Sequence, residues 1–259
     1  MRVLELTMPL DHQWMPDQLL PTATQFMLAP RGNPEKGITV GTESGTSLLL
    51  PAQFAAFRRT RRLDAVEPPE LVLRETAVVD VPCGPREALG RDALAAALDK
   101  AEFRDGDALL LRTGWGDGAA ERRGDDGYVV DTPHLALDGA EYLIEAMGRR
   151  KTTLLALDTA LVGYPDKHLI PEWLTLTPRP QCWPSEASRA YLAGYLEREV
   201  LEDWAVDYRL AEAGIMTLKR LVNCGQIQAG RVRLIVAPLR LVRGIGSTCR
   251  VVAVEGALE

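Results

Sequence analysis

The chain has 259 residues, of which 46% are apolar and 25% are charged, and its formal net charge is -6. This length and composition are typical of one globular domain with a substantial buried core. The negative charge argues against nucleic acid as a partner, and no apolar run approaches the roughly 20 residues that span a bilayer. Because the opening MRVLELTMPLDH lacks a secretion signal, we expect a cytoplasmic protein that does not bind membranes.

The first half of the chain reads as β structure followed by a helix. Alternating and β-branched patterns predict a strand at 3–7, glycine-interrupted β structure at 37–50, and one or two strands at 71–82. A helix is expected over 90–101 and a buried strand over 106–115. These segments contain no repeat and no linker that would divide the chain.

The second half continues the alternation of helices and strands. Pro133 begins a predicted helix, and a buried strand is expected over 152–160. After a proline-rich stretch, an amphipathic helix is predicted from the apolar side chains Tyr191, Leu192, Tyr195, Leu196, Val200 and Trp204. Two strands, 231–242 and 247–255, form a predicted hairpin. The order favours an α/β fold with a mixed sheet.

Three segments in this order resemble the cyclase family that includes bacterial kynurenine formamidase. They are GDALLLRTGW (106–115), LLALDTA (154–160) and RLIVAPLRLVRGIGSTCRVVAVE (233–255). The resemblance implies a swivelling β/β/α fold with a mixed, barrel-like sheet and flanking helices. It also implies a homodimer or homotetramer. On this reading, residues 1–259 form a single cyclase-like domain with a helical insertion at about 170–212.

The metal-binding signature of that family is H-x-G-T-H-x-D-x-P-x-H, and its histidines and aspartate hold one or two divalent metals. The matching segment here is ESGTSLLLPAQ (43–53). Residues that shape the backbone remain, namely Gly45, Thr46 and Pro51. Ligand positions hold other residues instead, namely Glu43, Ser47, Leu49 and Gln53.

The remaining ligand positions of the family fall on His168, which matches a later histidine, and on Lys219, which takes the place of a glutamate. Zinc or manganese needs three or more imidazole, thiolate or carboxylate ligands at fixed distances. Leu49 offers no ligand atom, and the ammonium of Lys219 would repel a dication. We therefore predict the fold of the family without a catalytic metal or other cofactor.

The replaced residues suggest acid/base chemistry in an apolar pocket. Glu43, His168 and Lys219 are candidate catalytic groups, while Ser47 and Gln53 are candidates for orienting or polarising a carbonyl group. The other candidate substrate-binding residues are Trp14, Leu49, Trp173 and Trp183. The alternative interpretation is simple packing. The polar residues would fill space that a metal once occupied, Leu49 and Trp14 would pack in the core or an interface, and Trp173 and Trp183 would belong to a peripheral or dimer helix.

The pattern as a whole predicts a metal-independent cyclase with a small-molecule substrate. Such an enzyme would form or rearrange a ring on an apolar, polyketide-derived intermediate of bacterial specialised metabolism. The apolar pocket and the bias to twenty-five arginines against five lysines, typical of a GC-rich genome, favour that substrate class. A metal-free hydrolase or lyase of an amide or lactone stays open, as does a non-catalytic protein that binds a small molecule.

Overall fold

The computed structural model describes residues 1–10, 25–27, 37–39, 43–57, 59–119, 127–163 and 205–256. The strands are β1 Arg2–Glu5, β2 Gln25–Met27, β3 Gly37–Thr39, β4 Ser47–Leu49, β5 Arg74–Asp80, β6 Ala88–Leu89, β7 Ala108–Arg112, β8 His134–Leu135, β9 Leu154–Leu157, β10 Met216–Lys219, β11 Arg231–Pro238 and β12 Gly246–Glu255. The α-helices are α1 Arg91–Leu98, α2 Gly127–Val130, α3 Leu137–Arg149 and α4 Ala205–Glu212. Single 3-10 turns lie at Pro51–Gln53, Ala55–Phe57, Leu63–Ala65, Pro68–Glu70, Gly116–Gly118 and Cys224–Gln226. Within these ranges, no helix has the length and apolarity needed to cross a membrane.

Seven strands close into a mixed barrel-like sheet in the order β12, β11, β5, β7, β9, β10 and β4. Strand β4 closes the ring because it pairs antiparallel with both β10 and β12. Strands β5, β7, β9 and β10 run parallel to one another, and the remaining pairings of the ring are antiparallel. Strand β1 pairs with the far end of the long strand β12. The shortest strand of the ring, β4, therefore lies between β10 and β12 at the point where the sheet closes.

Two apolar layers enclose this sheet, one inside the barrel and one beneath the helices. Successive side chains of a strand point to opposite faces, so a strand that is buried on both faces is apolar throughout. Strand β7 shows this pattern: Leu110 points into the barrel core, whereas Leu109 and Leu111 pack in the layer under α1, α3 and α4. The helical layer also receives Val206 and Leu210 from α4.

The predicted fold class is confirmed: the chain forms a mixed α/β, barrel-like sheet with flanking helices. One boundary is wrong, since the helix predicted to begin at Pro133 begins at Leu137. The preceding residues His134 and Leu135 instead form β8, which pairs with β6. Strand β10 was not predicted from the sequence. Most of the insertion predicted at about 170–212 lies outside the described residues, which include residues 205–212 of it as helix α4.

Candidate active site

The outward face of the β4–β10 pair carries residues that the sequence motif predicts to replace the family's metal ligands. Ser47 lies directly opposite Lys219, and Leu49 lies directly opposite Thr217. Residues that are opposite in an antiparallel pair share one face, with Cβ atoms about 5 Å apart. The alternate residues Leu48 and Leu218 point the other way, into the barrel core. These four outward side chains therefore form a compact polar and apolar patch, which we call the β4–β10 site.

An ion pair marks the edge of the β4–β10 site. Nζ of Lys219 donates a hydrogen bond of 2.9 Å to Oε2 of Glu43. The Lys219 side chain is only 7% exposed, whereas that of Glu43 is 34% exposed. Attraction to Lys219 holds the pKa of the Glu43 carboxyl below its ordinary value, although burial acts against this shift. The pair therefore places an ionised carboxylate beside an almost fully buried ammonium group.

Leu49 forms the apolar part of the site. It lies opposite Gly246 of β12, and a Cβ atom at Gly246 would stand 2.6 Å from Cδ2 of Leu49. Glycine at position 246 therefore leaves the space that the Leu49 side chain occupies beside β12. Leu49 is 2% exposed, yet among the described residues it belongs to none of the apolar core clusters. Its side chain is a wall of the site rather than part of the barrel core.

A buried arginine fixes the loop that carries Glu43. The guanidinium of Arg220 donates to the backbone carbonyls of Glu43, Gly45 and Ala160, with distances of 3.4 Å to Gly45 and 3.1 Å to Ala160. Thr46 adds a second tie: its hydroxyl donates to the Arg220 carbonyl at 2.6 Å and accepts from the amide of Met8 at 2.8 Å. Gly45 has a φ of +60°, which glycine adopts readily. These contacts give the Gly-Thr pair a structural role that does not depend on a metal.

Helix α4 brings a second carboxylate close to the ion pair. Oδ2 of Asp207 accepts a hydrogen bond of 3.1 Å from the amide of Gly163. Burial raises the pKa of Asp207 to about 6, attraction to Lys219 opposes the shift, and repulsion from Glu43 adds to it. A carboxyl with this pKa changes its protonation state close to neutral pH.

Aromatic side chains extend the apolar wall from the 3-10 turns that follow β4. The ring of Tyr208 on α4 lies 5.5 Å from the ring of Phe54 and 5.1 Å from that of Phe57, measured between centroids. Helix α4 also packs against the turn Pro51–Gln53. Gln53 is half-buried in that turn, and its side chain makes no hydrogen bond to the described part of the chain. The turns and α4 thus flank the site with aromatic rings.

Two hydroxyl groups of the site lack hydrogen-bond partners among the described residues. They are Oγ of Ser47 and Oγ1 of Thr217, and both residues are buried, with Thr217 only 3% exposed. Buried hydroxyls nearly always have partners, because an unpaired one costs free energy. The site therefore holds unused hydrogen-bonding capacity next to a buried ammonium.

Other reactive side chains are held away from this chemistry. Burial raises the pKa of the Cys83 and Cys249 thiols to about 12, so neither is a thiolate near neutral pH. Asp158 directly follows β9 and accepts hydrogen bonds from Thr113 and from the amide of Gly114. These bonds fix the loop after β7, as expected for a structural residue.

The structure thus brings together four of the residues singled out from the sequence: Glu43, Ser47, Leu49 and Lys219. Gln53 lies nearby on the turn against α4. The predicted residues outside the described part of the chain are Trp14, His168, Trp173 and Trp183. Sequence reasoning missed Thr217, Asp207 and Arg220. Reading 216–219 as a strand would have identified Thr217, because it alternates with Lys219.

Residues 4–162, more than half of the chain, match a family described as "Putative cyclase". This chain belongs to the cyclase family. The match includes β4 and the loop before it, so the Gly-Thr pair and positions 43–53 lie within the matched residues, whereas Lys219 lies beyond them. The family membership predicted from sequence motifs is confirmed.

Solved structures are similar to nearly the whole length of this family member. Isatin hydrolase A from Ralstonia solanacearum is 20% identical with a TM-score of 0.69, and the alignment covers 98% of this chain and 92% of that chain. Isatin hydrolase A from Labrenzia aggregata bound to benzyl benzoate is 20% identical with a TM-score of 0.65, and the alignment covers 97% of this chain and 93% of that chain. A predicted metal-dependent hydrolase from Bacillus stearothermophilus is 16% identical with a TM-score of 0.62, and the alignment covers 97% of this chain and 97% of that chain. No curated protein sequence matches the chain. At these identities the likeness shows a shared fold.

The residues of the β4–β10 site do not fit the divalent metal that the cyclase family implies. In the described ranges, no group of three or more His, Cys, Asp or Glu side chains is placed to hold a metal ion. Glu43 is already paired with a cation, the ammonium of Lys219. Ser47 and Leu49 supply, at best, one neutral hydroxyl. The prediction of metal independence rests on the donor atoms that these residues offer. Metal analysis of the purified protein tests it.

Proposed function

We propose that this cyclase-family protein is a metal-independent enzyme that forms or rearranges a ring on an apolar, carbonyl-bearing intermediate. The observation that carries the proposal is the buried Lys219 ammonium, 2.9 Å from Glu43, at positions where the family places metal ligands. A fixed cation can stabilise negative charge on a substrate oxygen, as a metal would. A polyketide-derived substrate of bacterial specialised metabolism fits the apolar wall of Leu49 and the neighbouring aromatic rings.

The proposed reaction is carbon–carbon bond formation through an enolate. A base removes a proton from the carbon next to a carbonyl group, and the C–H electron pair becomes the enolate. The enolate carbon attacks a second carbonyl carbon, and the resulting alkoxide takes up a proton. Lys219 stabilises the enolate oxygen, while Glu43 keeps Lys219 charged and in place. His168 is the candidate base, and the dry pocket holds the chain folded for attack.

A proton-exchange assay tests the proposal without knowledge of the natural substrate. We expect the protein, dialysed against EDTA and shown by elemental analysis to lack stoichiometric metal, to accelerate deuterium exchange at the α-carbon of 2-tetralone. The variant Lys219→Met should lose about 10²- to 10⁴-fold of that acceleration. Lys219→Arg is the matched control, because it keeps the charge. Exchange that requires added zinc or manganese, or that survives in Lys219→Met, would count against the proposal.

The similar structures favour a second candidate, a metal-free hydrolase. Two of them are isatin hydrolases and a third carries the name of a hydrolase, so a cyclic amide is the natural probe. Opening of the isatin ring by the EDTA-treated protein, followed by its absorbance change, would favour hydrolysis if 2-tetralone exchange is absent. Loss of both activities in Lys219→Met would assign the shared enolate or oxyanion chemistry to Lys219.

A further inference from the structure

The unpaired hydroxyls of Ser47 and Thr217 indicate a ligand-binding position. Both lie at the junction of β4 and β10, and both side chains are at least nine-tenths buried. Within the described residues, neither hydroxyl has a hydrogen-bond partner. Other buried threonines of the barrel are satisfied: Thr76 donates to the carbonyl of Arg74 at 2.8 Å. Among the buried serine and threonine hydroxyls of the described residues, those without a partner are therefore the two at this site.

Three donors share one face at this junction. Ser47 is directly opposite Lys219, and Thr217 stands two residues before Lys219 on the same strand face. Nζ of Lys219 carries three N–H donors, of which Glu43 takes one. The three side chains thus start from neighbouring positions on one face, with Cβ atoms about 5 Å apart for the directly opposite pair Ser47 and Lys219 and roughly 7–8 Å apart for the diagonal pair Ser47 and Thr217.

The chemistry of these donors selects the ligand group. An ammonium and two hydroxyls can all donate to an oxygen that carries negative charge, and such charge-assisted bonds are stronger than neutral ones. A cationic or donor-only group would be repelled or left unpaired. Leu49, opposite Thr217, makes the surface beside the donors apolar. The oxygen must therefore be attached to a hydrocarbon or aryl body.

We propose that Ser47, Thr217 and Lys219 form a binding site for an anionic oxygen, that of a carboxylate or an enolate, on an apolar ligand. The inference rests on the proposed function and names the substrate class of the same site. The hydroxyl groups are kept unpaired in the free protein so that the ligand oxygen can take their hydrogen bonds.

Thermal unfolding of the ligand-free protein gives the first test. Thr217→Val removes a hydroxyl that bonds nothing, so we expect an unchanged or higher Tm. Thr76→Val is the matched control: it removes a satisfied hydroxyl from a buried strand position, and we expect its Tm to fall by about 2–4 °C. Ser47→Ala should behave as Thr217→Val does. An equal fall of Tm in Thr217→Val and Thr76→Val would overturn the proposal.

Calorimetric titration gives the second test, with one probe for each source of the oxygen. The carboxylate probe is 2-naphthoate, the enolate probe is 2-hydroxy-1,4-naphthoquinone, and the neutral control is 2-naphthamide. We expect at least one anion to bind more tightly than the amide. Ser47→Ala and Thr217→Val should each weaken that anion about tenfold, and Thr76→Val should leave it unchanged.

The pattern of outcomes decides between sources and between proposals. Tighter binding of 2-naphthoate would identify the ligand oxygen as that of a carboxylate, and tighter binding of the quinone would identify it as that of an enolate. Equal affinity for 2-naphthamide, affinity unchanged in both hydroxyl variants, or no binding of either anion would overturn the anionic-oxygen site. Neither experiment needs turnover or metal analysis, so a failure here is distinguishable from a failure of the metal-independent ring chemistry.

Discussion

Leu48 and Leu49 are neighbours on β4, and both are buried, but they face different environments. Leu48 packs in the barrel core with Leu218 and other aliphatic side chains. Leu49 faces the β4–β10 site, beside Thr217 and over Gly246. The inward face of the β4–β10 pair carries apolar side chains, as stability requires. The outward face keeps unpaired hydroxyls and a partly buried ion pair, features that cost stability and are typical of functional sites.

Replacing each leucine in turn is the strongest test of this contrast. Leu48→Ala removes a side chain from a closed apolar core, and we expect it to lower the free energy of unfolding by about 2–5 kcal/mol. Leu49→Ala should cost less, because its side chain is a wall of the site and not part of that core. Urea unfolding of both variants measures the difference.

Binding measurements complete that comparison. Leu49→Ala should weaken binding of apolar anions such as 2-naphthoate, while Leu48→Ala, if it remains folded, should not. Equal destabilisation by the two substitutions, with binding unaffected in both, would show that Leu49 is a core residue after all.

The pH dependence of the free energy of unfolding tests the outward face, where the buried carboxyl of Asp207 lies close to the ion pair. Asp207 has an ordinary pKa of 3.8 that burial raises to about 6, so between these values the folded protein holds a proton that the unfolded chain releases. The stability contributed by this group therefore falls as pH rises from 3.8 to 6, and the loss is complete above that range. The shift corresponds to about 3 kcal/mol.

Asp207→Asn tests this sign, because asparagine cannot ionise and can still accept from the Gly163 amide. We expect the variant to gain stability over the parent protein at pH 7–8, by up to about 3 kcal/mol, and to gain none at pH 4. Urea midpoints at five pH values measure the gap. Carboxyls whose pKa is lowered, such as Glu5 and Glu255, affect both proteins alike. A gap that does not change with pH would argue against a buried, titrating Asp207.

The smallest expected effect concerns the loop between the two faces. Thr46→Val leaves the Met8 amide and the Arg220 carbonyl without the hydroxyl that they share, and we expect a loss of about 1–3 kcal/mol. Thr60→Val, at an exposed position with a bond to the Phe57 carbonyl, is the control and should change little. A loss in Thr46→Val no larger than in the control would show that this threonine is dispensable for holding Glu43.

Much of the fold was predictable because its signals are local. Alternation and β-branched residues located β5, β11 and β12, and an apolar run located β7. The exception at Pro133 has a simple cause: His134 and Leu135 find a strand partner in β6, and this long-range pairing delays the helix until Leu137. A propensity pattern carries no information about such a partner.

The sequence by itself determined the family, predicted that the metal-ligand residues are replaced, and supplied the candidates Glu43, Ser47, Leu49 and Lys219. Only the tertiary structure decided that Asp207 lies close to Lys219, that Thr217 shares its face, and that Arg220 is buried under the loop. The physical reason is distance along the chain: Glu43 and Lys219 are 176 residues apart, and their contact exists only because β4 closes the barrel against β10. A buried arginine or an unpaired hydroxyl has no signature in a linear pattern, because burial is a property of the packed chain.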